Sequence, residues 1–211
     1  MDLHGTQPTN KFMLWVDAVG GFWVCTGDEI VLGQPVRGQE VDVPILGDIS
    51  SRHARIRRDE EGYLIEAIRE VYVDNRQVKG TTSLVDGNRI ALGRIASGTG
   101  VRLVFRRPHP LSATARLDFV SHHRTQPSAD AVLLMADACI LGPTPTCHVV
   151  CRDWKQEVVL YRQDRELCCR TGGRVEIDGV PRHGRGSLTQ NSRLQGEGFS
   201  LSLEEIRPGS P

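Results

Sequence analysis

Ser50 and His53 are the side chains whose types and spacing suit chemistry. They stand three positions apart in Ile49-Ser50-Ser51-Arg52-His53-Ala54-Arg55-Ile56. A serine hydroxyl at the end of a loop can donate a hydrogen bond to an oxyanion, and a histidine can brace that loop through a ring N–H. No catalytic arrangement surrounds them. No serine lies in a Gly-x-Ser-x-Gly elbow, no His-x-x-x-His pair occurs, and no dinucleotide fingerprint follows a strand. The expectation is a binding protein and not an enzyme.

The elements that must hold this loop read as strands. Ala54 and Ile56 alternate with Arg55 and Arg57, the period of a half-buried strand. Phe12–Val16 and Phe22–Cys25 are β-rich runs separated by Val19-Gly20-Gly21, which reads as a hairpin. Glu29–Leu32, Tyr63–Glu66, Val71–Val73, Arg89–Leu92 and Val101–Phe105 continue the series at intervals of about ten residues, the spacing of an all-β sandwich. No amphipathic helix is expected.

The chain has 211 residues with 26 basic and 26 acidic side chains. That balance offers no global field for nucleic acid or an anionic membrane, and neither is expected as a partner. The longest apolar run, Ala131–Leu141, is interrupted by Asp137 and too short to cross a bilayer. Met1-Asp2-Leu3-His4-Gly5 does not read as a secretory leader, and a cytoplasmic location is the expectation.

The second half echoes the first. Asp74, Gly80, Leu84, Arg89 and Ile90 precede Asp178, Gly184, Leu188, Arg193 and Leu194 by 104 residues, and Val31-Leu32-Gly33 is matched by Ile140-Leu141-Gly142. Leu103-Val104-Phe105 is matched by Leu201-Ser202-Leu203 at a shorter offset, as if the Arg94–Gly100 loop were longer in the first copy. The same supersecondary unit used twice explains this pattern. Residues 10–108 and 130–207 are read as two β-sandwiches, with a linker over 109–129 in which Ala113–Phe119 has strand character.

Ser50-x-x-His53, the preceding Gly33 and the turn-rich run to Asp86-Gly87-Asn88-Arg89-Ile90 resemble a forkhead-associated (FHA) domain, a β-sandwich that reads phosphothreonine in partner proteins. The resemblance implies Gly-Arg after an early strand, Ser-x-x-His, and Thr-Asn-Gly-Thr before an aromatic-Val-Asn-Gly strand end. Its Arg and Ser contact phosphate, its Asn holds the ligand main chain, and its His buttresses the site. Here Ser50 and His53 fit, and Gly33 fits unless it serves only a tight turn with positive φ. Gln34 replaces the Arg. Arg69 and Glu70 stand in the place of Asn-Gly, followed by Tyr72-Val73-Asp74-Asn75.

Gln brings no charge to a phosphate, and a neutral donor is worth about half of a charged one. Arg37, Arg52, Arg55 or Arg69 must supply the charge if phosphate is bound. The expected binding residues are therefore Ser50, Ser51, Arg52, Gln34 and Arg69, supported by His53 and Gly33. No cofactor is expected. The partner is expected to be a phosphorylated protein, with phosphate-independent contacts as the alternative.

In the second half Leu141-Gly142-Pro143 lacks the Arg, and Pro145-Thr146-Cys147-His148 is taken as the remnant of Ser-x-x-His, so this half is expected to keep the fold without the phosphate chemistry. Six cysteines (Cys25, Cys139, Cys147, Cys151, Cys168, Cys169) sit mostly in apolar strands and read as buried hydrophobes. A metal cluster from Cys147, His148, Cys151, Cys168 and Cys169 is the sharper alternative, but adjacent cysteines do not have structural zinc spacing.

Overall fold

A computed structural model describes residues 11–94, 98–164 and 166–206. These residues form an all-β protein. The first half contains β1 (Lys11–Val16), β2 (Gly20–Cys25), β3 (Glu29–Gly33), β4 (Val43–Leu46), β5 (Ala54–Arg58), β6 (Tyr63–Ala67), β7 (Val71–Val73), β8 (Arg76–Gln77), β9 (Thr81–Leu84), β10 (Arg89–Leu92) and β11 (Val101–Arg106). The rest comprises β12 (Ala115–Phe119), β13 (Arg124–Thr125), β14 (Ala131–Leu134), β15 (Ala138–Gly142), β16 (Val149–Val150), β17 (Val158–Gln163), β18 (Glu166–Ile177), β19 (Val180–Leu188), β20 (Arg193–Gly196) and β21 (Phe199–Glu205).

One sheet runs β13-β4-β3-β5-β6-β9. The other runs β16-β15-β17-β18-β20-β21-β1-β2-β14-β12-β11-β10-β7-β8, with β19 paired to β18. The strand order repeats. The hairpins β1–β2 and β12–β14 each precede a strand (β3, β15) that pairs in parallel with the next (β4, β16) and antiparallel with the one after (β5, β17). β18 does the work of both β6 and β7, since it pairs with β17 at one end and β20 at the other.

The two hairpins exchange places. β1 pairs with β21, the last strand of the second half, while β12 pairs with β11, the last strand of the first. β2 and β14 lie in parallel between them. The central strands therefore bury both faces. Met13, Trp23, Cys25, Val132 and Leu134 belong to one core, and Phe12, Leu14, Val16, Phe22, Val24 and Leu133 belong to the other. Burial on both sides explains the unbroken apolar runs Phe12–Val16 and Ala131–Met135.

The span 109–129 is not a plain linker. It contributes β12, whose Ala115 and Leu117 are fully buried in the first core, and β13, which pairs with β4. Its prolines break the pattern at its ends, but five residues between them still alternate inward and outward.

The repeated sequence element also recurs as geometry. Asp74 and Asn75 take positive φ (48° and 64°) at the β7–β8 turn, and Asp178 and Gly179 do so at the β18–β19 turn (52° and 80°). Such a two-residue turn needs residues tolerant of the left-handed region. Each aspartate then accepts the N–H of the first residue of a later strand: Asp74 from Arg89 at 2.8 Å, Asp178 from Arg193 at 2.7 Å. A neighbouring side chain completes each network, Asn88 on Asp74 and Ser192 on Asp178.

Candidate functional site

Loops 34–42, 47–53 and 68–70, joined by Gly93, gather at the end of the first half where β3 and β6 finish. Backbone bonds lace them together. Gln34 N–H donates to the Ser50 carbonyl at 3.0 Å, Arg69 N–H to the His53 carbonyl at 2.9 Å, and Gly93 N–H to the Glu70 carbonyl at 2.9 Å.

His53 is the pin of this assembly. It is only 4% exposed. Its Nδ1 accepts the Ser50 N–H at 3.1 Å, and its Nε2 lies 2.8 Å from the Glu70 carbonyl. One ring nitrogen must accept and the other must donate, so the ring is neutral with its proton on Nε2. Burial, which disfavours the imidazolium, lowers its pKa.

Gly33 is required by space. Its φ is not in the left-handed region, which corrects the tight-turn reading. A Cβ at this position would overlap the carbonyl group of Ser51 and lie 2.9 Å from the Ser50 oxygen. Only glycine lets β3 end against the backbone of the serine loop.

The structure brings Gly33, Gln34, Ser50, Ser51, Arg52, His53 and Arg69 to one end of the sandwich. Ser50 and Ser51 are half-buried, whereas Gln34, Arg52 and Arg69 are exposed. Neither Arg52 nor Arg69 enters an ion pair among the described residues. Arg55 is excluded as a source of charge for the site. It is held on the sheet by Glu29 at 3.3 Å and Glu66 at 3.4 Å.

Glu70 presents its backbone to the site and gives its carboxylate to the Tyr72 hydroxyl at 2.7 Å. That bond also raises the Tyr72 pKa, because it favours the protonated phenol. Tyr72 and Gly93 carried no sequence signal for this role.

His123 lies within the 109–129 span, between β12 and β13. Its buried ring bonds to Ser121 Oγ at 2.8 Å and lies where a Gly47 side chain would project, backing the loop that leads to Ser50.

The second half does not place His148 where the spacing suggested. The register Leu32↔Ala54 recurs as Leu141↔Val158, so the counterpart of His53 is Glu157 and that of Ser50 is Trp154. His148 instead repeats Asp42. Asp42 N–H donates to the Val31 carbonyl and its carboxylate accepts the Val31 N–H at 2.9 Å; His148 N–H donates to the Ile140 carbonyl and its Nδ1 accepts the Ile140 N–H at 2.9 Å. Trp154 packs on Phe199, with ring centroids 5.2 Å apart. The expected Pro145–His148 remnant failed because the β15–β16 loop is shorter than the β3–β4 loop and β16 is shorter than β4, which shifted the alignment.

All six cysteines are buried free thiols. Burial pushes the thiols of Cys25, Cys139 and Cys151 up to about 12. Among the described residues no three His, Cys, Asp or Glu side chains gather to hold a metal ion.

The FHA domain family model matches residues 28–93, from the turn before β3 to the Gly93 that bonds Glu70. No curated protein and no solved structure matches the chain.

Proposed function

From a chain whose residues 28–93 form a forkhead-associated domain, we propose an interaction module that receives a phosphothreonine segment of a partner protein at the Ser50 loop. The observation that carries this reading is the preorganised loop itself. His53 fixes the Ser50 backbone to Glu70, and the Ser50 hydroxyl has no hydrogen-bond partner among the described residues. Arg52 and Arg69 flank His53 in sequence and by backbone bonding, and their exposed guanidinium groups are in no ion pair among the described residues. In this reading Arg52 and Arg69 supply the charge that Gln34 lacks, and charge-assisted bonds to phosphate are the strong ones.

A second reading rests on Gln34 and Glu70. With a neutral side chain at one phosphate position and a carboxylate on the neighbouring loop, the same loops would serve as a phosphate-independent docking surface. Titration with a phosphothreonine peptide library and its unphosphorylated twin decides between them. The first reading predicts selective binding of the phosphorylated library and a loss of about tenfold or more in Ser50→Ala, as expected for a charge-assisted contact. Equal affinity for both libraries would sink it and leave the scaffold reading.

A further inference from the structure

The β18–β19 hairpin departs from the first half in a way that the Ser50 site does not explain. In the first half the corresponding edge is broken into two short pieces, β8 and β9, separated by Val78-Lys79-Gly80. In the second half it runs as one nine-residue strand, β19, which among the described residues pairs only with β18, with a register shift between Arg170 and Arg174. Its residues Val180–His183, Arg185 and Ser187 are exposed. An open edge of this length offers a row of unpaired N–H and C=O groups to any extended chain.

The side chains on this hairpin select what kind of chain. Arg170 lies directly opposite Arg185 and Arg174 directly opposite His183 on one face, with Glu176 opposite Pro181, whereas Arg182 pairs with buried Val175 on the other face. The arginines and His183 are exposed, and none of these arginines is in an ion pair among the described residues. Like charges facing each other across two strands repel, so this arrangement costs stability in the free protein. The repulsion also stops a second copy of β19 from pairing with the first. An acidic strand relieves it.

Residues 1–10 contain one acidic side chain, Asp2, and residues 207–211 contain none, so neither stretch is an acidic segment. We propose that β19 is a docking edge for an extended acidic segment of a partner protein, added as a further strand with its carboxylates on the face of Arg170, Arg174 and Arg185. Backbone bonds along the edge give affinity and the arginines give the choice of sequence.

Arg185→Glu tests this with effects of opposite sign. It puts a carboxylate opposite Arg170, so the melting temperature should rise. It also removes a docking charge, so binding of an octapeptide of alternating glutamate and valine should weaken by about tenfold, a change typical for one charged contact. A second variant, Arg174→Glu, removes a docking charge on the same face and should also weaken binding. The same peptide with alternate backbone nitrogens methylated should not bind. Ser50→Ala should leave the affinity unchanged, which separates this surface from the phosphothreonine site. The proposal is overturned if the peptide does not bind, if the methylated peptide binds equally, or if neither Glu variant weakens binding. Tighter binding of single-stranded RNA, or a dimer in sedimentation that is lost in Arg185→Glu, would also overturn it by naming a different occupant.

Discussion

His53 and His148 show how one residue type is used in two ways. His53 is held on both ring nitrogens, whereas His148 bonds only through Nδ1 and keeps a buried Nε2 without a partner. Both have lowered pKa values because burial disfavours the cation, and that of His148 falls to about 4, with His109 and Arg116 adding to the effect. Between the ordinary value of 6.5 and the depressed folded values, the unfolded chain binds protons that the folded chain refuses. Stability is therefore full above about pH 7 and falls as pH drops through 6.5 toward 4. Urea denaturation between pH 7.5 and 4.5 should show this decline. His148→Asn, which keeps an acceptor for Ile140 N–H as Asp42 does for Val31, should remove part of it, on the order of 2 kcal/mol at the acid end. An unchanged pH profile in that variant would show that the acid sensitivity arises elsewhere.

Among the elements, the close of β3 against the serine loop is the most demanding. Gly33→Ala must push the Ser50–Ser51 backbone away from β3 and break the Gln34-to-Ser50 bond. A loss of about 1–3 kcal/mol in chemical denaturation is expected, the range for overpacking a tight site, together with weaker phosphopeptide binding. This part of the molecule was legible in the sequence because strand alternation, Gly33 and Ser50-x-x-His53 are local patterns. The paired aspartates Asp74 and Asp178 were legible for the same reason, since a fixed spacing preserved the turn and the later strand that it bonds. The place of His148 was not legible. A loop that shortens between two strands moves the spacing without moving the fold, and only the register of β15 against β17 reveals Glu157 as the counterpart of His53. β12 was half-legible, because its short alternation lies between prolines that dominate the local signal.

At the scale of the whole molecule, sequence order and strand order disagree. The strand order recurs in the two halves, but each half's opening hairpin is hydrogen-bonded to the other half's last strand. Local patterns carry no information about such an exchange, because a hairpin buries the same residues whichever sheet it joins. What the sequence does record is its consequence: β1, β2 and β14 are apolar on both faces, since neighbouring residues enter different cores. Met13 and Leu14 are adjacent, fully buried and on opposite sides of the central sheet. Two independently folding sandwiches would give two unfolding transitions, with each substitution moving only one. Shared strands require a single transition. Met13→Ala and Leu14→Ala should each destabilise that one transition by about 2–5 kcal/mol, the usual cost of emptying a core position. Calorimetry provides the check, with the calorimetric enthalpy compared with the van't Hoff enthalpy. Proteolysis provides a second. Leu111 is 92% exposed between β11 and β12, so this segment is open to cleavage. A chain nicked there should still elute as one particle, because β1 remains paired with β21 and β12 with β11. Separation of the nicked halves under native conditions, or two resolved transitions in the intact chain, would refute the interlocked arrangement.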